Sequence, residues 1–492
     1  MNIPKEVLNI IKLLEKKNFE VYAVGGCVRD FLLNKEPKDW DITTSATPKQ
    51  IQKIFPNSVY ENQFGTVGIK TKSKKSNLKI IEVTTFRSDG KYSDSRHPDK
   101  IRFSKKLEDD LGRRDFTINA MVLKIKRDSW EIIDPYQGQQ DLNKKIIKCV
   151  GDPEKRLQED ALRLMRAIRF NVELGINQGW LLETATFKAI VKNNNLIKNI
   201  SFERVRDELI KIIATQEACL GIDLLHRSGL LKYILPELET GIDVGQNKHH
   251  LFTVWEHNLR SLDYAARNNY SLIVRLASLF HDIGKPLAKQ GSGKDCTFYN
   301  HEILSSRITE RILKRLHFSE EIIKKVVILV RYHGFFYEVE TTTDASLRRL
   351  IINVGKENME DLAQVREADR IGSGCPKALP FKLRHFMYRV EKILKENHGE
   401  QPSLKTLKIN GDDLIKNLKI APGQKIGYIL NILLEETLDN PKLNTKQYLK
   451  KSALDLNKYD LEELIIKNKK AKEKYDLALE EFSNEIRKKY YV

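Results

Sequence analysis

The sequence predicts an α+β chain: a mixed α/β head over residues 1–150, followed by a mostly α-helical remainder. Three observations carry this. Short apolar strands alternate with short helices up to Val150, helical spacing runs almost unbroken beyond Asp152-Pro153, and 492 residues are too many for one core when domains average about 150. Val7, Ile10, Ile11 and Leu14 have helical spacing, and FEVYAV (19–24) follows as a strand. Gly25 and Gly26 then open a helix. VGIKT, KIIEVTTF, WEIID and KIIKCV read as further strands, with KTKSKKSNLK (70–79) as a basic hairpin tip and FRSDGKYSDSRHPDKIRF (86–103) as a polar loop.

Helical patterning then spans Glu154 to Leu235 and about 250–394, with breaks at Gln290–Cys296 and Glu338–Asp344. Proline, glycine and polar residues at Leu235–Lys248 and Glu396–Pro402 mark boundaries. The expected organisation is therefore 1–150, 151–240, 241–400, 401–456 and a charged segment 457–492. In Lys408–Leu449 a short helix starts at Gly411, the chain turns at Pro422-Gly423, and a helix from Lys425 turns Ile426, Ile429, Leu430 and Leu433 to a core. Leu461, Leu464, Ile465, Leu477 and Leu479 form a partial apolar stripe in the last segment, read as a charged helix or helical hairpin.

Lysine and arginine number 85 against 67 acidic residues, a net charge of +18, and 41% of the chain is hydrophobic. Disordered and fibrous classes are excluded, and the excess charge points to a polyanionic partner. Cys27, Cys149, Cys219, Cys296 and Cys375 lie far apart with no CxxC pair, which fits a reducing cytoplasm better than a disulfide framework. Nowhere do about 18 uncharged apolar residues run together, so no membrane partner is expected.

The densest chemistry begins at GGCVRDFLLNKEPKDWDITT (25–44). Gly25 and Gly26 lie between a strand and a helix, where bare backbone N–H groups can approach phosphate oxygens, and Arg29 falls on the first helical turn. Asp39 and Asp41, at i and i+2 in an extended segment, project from one face while Trp40 points the other way. Two hard carboxylates without histidine or cysteine suit Mg²⁺, which can activate a hydroxyl and stabilise departing pyrophosphate. An isolated DxD is more often a pair of surface aspartates; the neighbouring motifs argue otherwise here.

Together with RRDFTINAM (113–121), DPYQGQQDL (134–142) and EDALRLMRAIRF (159–170), this stretch closely resembles the class II tRNA nucleotidyltransferases, the CCA-adding enzymes, and the related bacterial poly(A) polymerases. The resemblance covers about the first third of the chain. It implies a nucleotidyltransferase-type head, a helical neck and body, triphosphate contacts from Gly26 and Arg29, and metals at Asp39 and Asp41 as the catalytic pair. It also implies a nucleotide site at Arg114, with Asp115 and Asn119 near the ribose, and a hinge at Gly138, where the family often has a glycine pair. The loop 86–103 is similar to the family's flexible loop, associated with the change from C to A addition.

Asp160, Arg163 and Arg166 recur at intervals of three, along a common helical face. A carboxylate only accepts and a guanidinium only donates. Cytosine and adenine each present an amino donor beside a ring-nitrogen acceptor, and uracil and guanine reverse this. Asp160 and Arg163 would therefore admit C and A and reject U and G without a template, while Arg166 and Arg169 remain for phosphate or structural contacts; a solvated helix face is the plainer alternative.

In the helical half, His257, His281-Asp282, His301, His333 and Asp369 offer a divalent-metal set able to generate hydroxide for phosphoester hydrolysis. The ordered set resembles the HD phosphohydrolase superfamily, with His257, His281, Asp282 and Asp369 as ligands, His301 and His333 for a second metal, and Mn²⁺, Co²⁺ or Ni²⁺ as the ion. Asp344 and Asp361 compete with Asp369, and His249 and His250 with His257; Lys285 is placed to touch a phosphate. The segment 408–449 resembles the C-terminal module of HD-containing CCA-adding enzymes, and Lys416, Lys419 and Lys425 could meet phosphates there.

The resemblances imply an enzyme that takes CTP and ATP to the 3′ end of tRNA, in the cytoplasm that the cysteine usage favours. The alternatives are a poly(A) polymerase, disfavoured by that tail module and by Ala161 where polymerase relatives commonly carry proline, and a protein that is mainly an HD phosphohydrolase.

Overall fold

The computed structural model describes residues 3–60, 65–90, 101–126, 129–247, 251–374, 380–396 and 401–470. His249, His250, Cys375, Leu477, Leu479 and the centre of the polar loop (91–100) lie outside the described residues. The chain divides into two compact units, one running to Glu239 and taking in Arg315–His317, the other comprising the rest from Thr240.

In the first unit, helix α1 (Lys5–Glu15) precedes strand β1 (Val21–Val24), helix α2 (Gly26–Leu32), β2 (Asp41–Thr44), α3 (Pro48–Ile54), β3 (Ser58–Tyr60), β4 (Thr66–Lys70) and β5 (Ile80–Thr85). The short pair β6 (Arg87–Asp89) and β7 (Ile101–Phe103) flanks the polar loop, and α4 (Leu107–Gly112), β8 (Val122–Ile125), β9 (Trp130–Ile133) and α5 (Gly138–Asn143) follow. Seven strands form one sheet in the order β3-β4-β5-β2-β1-β8-β9. β2 runs parallel to β5, with Asp41 opposite Glu82, and the other pairings are antiparallel.

Side chains alternate across a strand, so one sheet serves two cores. Val21, Ala23, Ile42, Ile81 and Val83 pack with α1, α2 and α3 on one face, joined by Trp40. Tyr22, Val24 and Val122 pack with Leu107 and Leu111 of α4 on the other. Asp41, Thr43 and Glu82, one residue out of phase with Ile42, Ile81 and Val83, belong to that second face, and Thr43 Oγ1 donates to Asp110 of α4 at 3.2 Å. Of the expected strand KIIKCV, Ile146–Ile147 (β10) pairs with Leu181–Leu182 (β11), inside a stretch the sequence reads as helical almost throughout, and Cys149 makes a single bridge to Phe116. Two residues of strand leave no periodic signal.

The helices continue as α6 (Pro153–Glu159), α7 (Leu162–Leu174), α8 (Thr184–Asn193), α9 (Phe202–Ile213), α10 (Ala218–Arg227), α11 (Leu231–Ile234) and α12 (Pro236–Glu239). In the second unit α13 (Val254–Arg267), α14 (Leu272–Phe280), α15 (Lys285–Ala288), α16 (His301–Arg315), α17 (Glu320–Tyr332), α18 (Asp344–Val354), α19 (Met359–Gly372) and α20 (Pro380–Glu396) precede the tail helices α21 (Gly411–Lys416), α22 (Gln424–Asp439) and α23 (Lys446–Asn457). The tail core joins Leu414, Ile429, Leu433 and Leu449 with Leu464, so it extends past the boundary expected at 456. Leu461 and Ile465 of the expected stripe stay exposed, because only every third or fourth position of a helix meets one surface.

Gly138 opens α5 directly against the turn Thr117–Asn119, where a β-carbon would collide with the Thr117 carbonyl oxygen and come within 2.8 Å of Met121 Cγ. Asp134 locks the approach by accepting from the backbone N–H groups of Gly138 (2.7 Å) and Gln139 (2.8 Å). Gly138→Ala should destabilise this unit by about 1–3 kcal/mol through overpacking, measured as a lowered thermal midpoint, whereas Gln139→Ala, which keeps its N–H, should leave it within about 0.5 kcal/mol.

Candidate active site

The glycine pair sits between two guanidiniums. Gly25 has φ +83°, a conformation that favours glycine, and a β-carbon there would lie 2.9 Å from Arg114 Nη1. One at Gly26 would lie 3.7 Å from Arg29 Nη2. Buried Arg29 donates from Nη1 to Asn119 Oδ1 (2.8 Å) and from Nε to Asp30 Oδ1 (2.9 Å). Arg114 is steered by Asp110, a fully buried carboxylate that also pairs with Arg113 at 2.6 Å. Burial alone would raise the Asp110 carboxyl, but Arg113, Arg114 and Thr43 hold it below the usual range. Sequence reasoning missed Asp110; its spacing of three and four residues before Arg113 and Arg114 is the signal that could have found it.

Asp39 is exposed and lies in a bend, not in the strand, while Asp41 begins β2. Burial pushes the Asp41 carboxyl up to about 6, Asp39 and Glu82 add like-charge repulsion, and Arg114 opposes it. Crowded carboxylates with hard oxygen donors fit a divalent cation such as Mg²⁺, which would relieve that repulsion. Glu82, facing Asp41 across the parallel pair, is a further carboxylate that only the register reveals.

Helix α7 closes the site. Arg166 grips Asp115 Oδ2 through Nε (2.8 Å) and Nη2 (2.6 Å), while Asp115 Oδ1 accepts from the Phe116 N–H (2.8 Å) and from Asn119 Nδ2 (3.3 Å). Burial would raise Asp115, yet Arg166 and Arg163 hold it far below the usual carboxylate range. Arg169 pairs with Glu208 at 2.7 Å and Glu173 at 3.0 Å and covers the Phe170 ring at 4.0 Å.

Asp160, Arg163 and Arg166 do not form the single helical ladder that their spacing implies. Asp160 has extended backbone between α6 and α7, where its Oδ1 accepts from the Leu162 N–H (3.1 Å) and its Oδ2 from Arg204 (3.2 Å). Arg163 turns back to the carbonyls of Arg156 and Arg113 (2.8 Å each) and to Glu159 (2.7 Å). A break in the helix at Asp160 separates the two side chains in direction, and nothing in the residue spacing announces it.

The second unit holds the other cluster. His257 on α13, His281-Asp282 just after α14 and Asp369 on α19 place four ligand-type atoms within 4.8 Å of one another, and Asp282, His301 and His333 form a second such group. His257 Nε2 lies 2.8 Å from His281 Nε2, 3.1 Å from Asp282 Oδ2 and 3.2 Å from Asp369 Oδ1. Asp282 Oδ1 faces the other way, 3.2 Å from His301 Nε2 and 3.5 Å from His333 Nε2. Three rings share one arrangement: His281, His301 and His333 each set Nδ1 2.8 Å from the carbonyl three residues earlier, so Nδ1–H donates and Nε2 points into the cluster.

This donor set fits divalent cations. Burial disfavours charge on His281, yet Asp282 and Asp369 raise its pKa to about 10, so the carboxylates demand positive charge at their centre. Asp344 instead pairs with Arg389, Asp361 is not in either group, and Lys285 lies 2.6 Å from both Asp282 Oδ2 and Gln246 Oε1.

A mixed sheet that sets Asp39 and Asp41 beside two arginines and a glycine pair defines a polymerase-type nucleotidyltransferase head. The family model for the poly A polymerase head domain matches residues 21–148, that for the RNA and SrmB-binding site of polymerase A matches 181–242, and that for tRNA nucleotidyltransferase domain 2 matches 301–453. The CCA-adding enzyme of Limosilactobacillus reuteri is 42% identical over 231 residues, 47% of this chain; in such matches the chain spans about half, 54%, of the relative's length. That of Ligilactobacillus salivarius is 32% identical over 468 residues, covering 92% of this chain and 98% of the relative. The crystal structure of the Bacillus stearothermophilus CCA-adding enzyme in complex with CTP superposes with a TM-score of 0.70 at 27% identity, covering 93% of this chain and 98% of that one. The chain belongs to the CCA-adding enzyme family.

Because the Asp41 carboxyl is raised from 3.8 to about 6 in the folded chain, the folded state binds more protons than the unfolded one between those values, and stability falls as pH rises through that window. Asp41→Asn should therefore stabilise the cation-free protein by about 2–3 kcal/mol at pH 8, with the gain vanishing below about pH 4. Denaturant melts at the two pH values check it.

Proposed function

We propose that this chain is a tRNA nucleotidyltransferase that adds C, C and A to the 3′ end of tRNA from CTP and ATP without a nucleic-acid template. The observation that carries the reading is the convergence of Asp39, Asp41, the Gly25-Gly26 pair, Arg29 and Arg114 in one site. Arg29 and Arg114, held by Asn119 and Asp110, bind the triphosphate from either side of the glycine pair. Asp39 and Asp41 would hold Mg²⁺, which would supply activation of the 3′-hydroxyl for attack on the α-phosphate and stabilisation of the departing pyrophosphate. Gly26 leaves room for the phosphates, and Asp115 and Asn119 flank the ribose.

Asp160 keeps acceptor lone pairs beyond its contacts to Leu162 and Arg204, since a carboxylate accepts about four hydrogen bonds. With Arg163 turned from its carbonyl partners toward the base, the pair reads the amino donor and ring acceptor that cytosine and adenine share. Arg166 holds α7 against the head, and Arg169 ties α7 to Glu208 of α9. RNA is held mainly through shape and backbone, because A-form helices hide their major groove. Residues 1–150 are the catalytic head, 151–240 neck and body, 241–400 the HD domain, 401–456 a tRNA-binding module whose core also takes in Leu464, and the rest of 457–492 a charged extension. No helix among the described residues is long and apolar enough to cross a membrane, and the four described cysteines are free, which fits a cytoplasmic setting.

A tRNA ending before its 3′ CCA, incubated with CTP, with ATP and with both, should gain two residues, none, and three ending in a single A. Asp160→Ala and Arg163→Ala should each admit UTP or GTP at least tenfold more readily. Long A tracts on gels would instead establish a poly(A) polymerase.

The second unit favours an added activity. Asp282 faces two histidine groups with its two oxygens, so His257, His281, Asp282 and Asp369 can hold one divalent ion and Asp282, His301 and His333 another. Bound Mn²⁺, Co²⁺ or Ni²⁺ would supply a hydroxide nucleophile for phosphoester hydrolysis, with Lys285 close to the scissile phosphate. Purified protein given one of these ions should hydrolyse 2′,3′-cyclic AMP, and His281→Ala should abolish turnover while CCA addition persists; turnover no greater than that of the variant sinks this activity.

A further inference from the structure

Helix α20 is apolar on both sides, and only one side has a core to explain it. Phe386, Val390 and Ile393 are buried, and the Phe386 ring packs 4.7 Å from that of Phe335 and 5.3 Å from that of Tyr337. The opposite side carries Phe381, 59% exposed, and Tyr388, 64% exposed. His385 lies between them, its ring centroid 6.5 Å from that of Phe381 and 6.3 Å from that of Tyr388, and the Tyr337 hydroxyl hydrogen-bonds its Nδ1. Positions 381, 384, 388, 392 and 395 share one helical face, so Arg384, Lys392 and Lys395 extend the aromatic row, against two acids, Glu391 beside Lys395 at 4.0 Å and Glu396 at the helix end, 3.8 Å from Arg348. Lys382 and Arg389 on the flanks are committed to Glu338 and Asp344 and hold the helix in place.

Exposed rings in a row, interleaved with cations, are what an RNA strand with unstacked bases requires. The π-faces take bases irrespective of sequence, and the cations take the intervening phosphates. Rings and cations also occur together at protein interfaces, and the surplus of cations over acids on this face favours a polyanion. We infer that the outer face of α20 is an RNA-docking surface, on which unpaired bases of the substrate tRNA stack against Phe381 and Tyr388 while Arg384, Lys392 and Lys395 meet the backbone. The inference rests on the proposed tRNA substrate and adds a contact remote in sequence from the head, outside the tail module.

The test measures binding of a fluorescent tRNA transcript ending before CCA to the full chain by anisotropy. Phe381→Ala/Tyr388→Ala and Phe381→Leu/Tyr388→Leu should each weaken binding tenfold or more, with the thermal midpoint unchanged. Phe381→Trp/Tyr388→Trp should stay within twofold. Arg384→Ala/Lys392→Ala should reduce the slope of log affinity against log salt by about 2, whereas the aromatic variants should leave that slope as it is. Wild-type affinity in the alanine variant overturns the inference, as does full retention by the leucine variant, which would mean apolar contact without stacking. Light scattering that shows a wild-type dimer become a monomer in the alanine variant, with RNA affinity unchanged, would assign the face to a second copy of this chain instead. A wild-type protein that binds tRNA through this face but adds no nucleotide sinks the transferase reading and leaves the surface standing; one that adds CCA with insensitive binding does the reverse.

Discussion

The first unit depends on one half-buried ion pair, in which Arg166 of α7 grips the buried Asp115 through two nitrogens while the other Asp115 oxygen is spent on the Phe116 N–H and on Asn119. Removing Arg166 leaves that carboxylate oxygen buried without its partner, at a cost of about 1–3 kcal/mol. Through Asn119 the pair also positions Arg29, so the phosphate side of the site and the helix that closes it share a single network. Asp110 does the same for Arg113 and Arg114 from α4. These arginines are set by acids, not by apolar packing, which orients the guanidiniums before any nucleotide arrives.

The second unit solves the opposite problem. There the acids and histidines converge with too little positive charge among them, and His281 is drawn toward protonation to compensate. Backbone carbonyls one turn back on three histidines hold their Nε2 atoms inward, an arrangement that charge pairing among the side chains alone would not produce. A rigid helical frame, with Gly284 pressed against the Ser305 N–H of α16, keeps these turns in register.

Much of the head was legible. Strand alternation marks β1, β4, β5 and β9, and the DxD, glycine-pair and RRD motifs locate the site because each combines a residue type with a backbone position. Asp110 and Glu82 escaped because their importance lies in packing across α4 and β5, between residues far apart in sequence. The face shared by Asp160 and Arg163 was misjudged because periodicity assumes a continuous helix, and the chain breaks at Asp160. In the helical half, the six metal-type residues were identifiable by chemistry, but the sequence left His249, His250, Asp344 and Asp361 as competitors. Asp369 is preferred over Asp344 and Asp361 only because α19 crosses α13 at the right turn.

By itself, then, the sequence determined the order of elements, the basic charge and the residue types available for phosphate, metal and base chemistry, since these follow from local periodicity and side-chain pKa and donor properties. The tertiary structure decided which carboxylates crowd together and which are neutralised: Asp41 is raised and Asp115 depressed, though both are aspartates with an arginine close by in the fold. Burial and distance set that difference, and both are properties of packing between segments that no local pattern encodes.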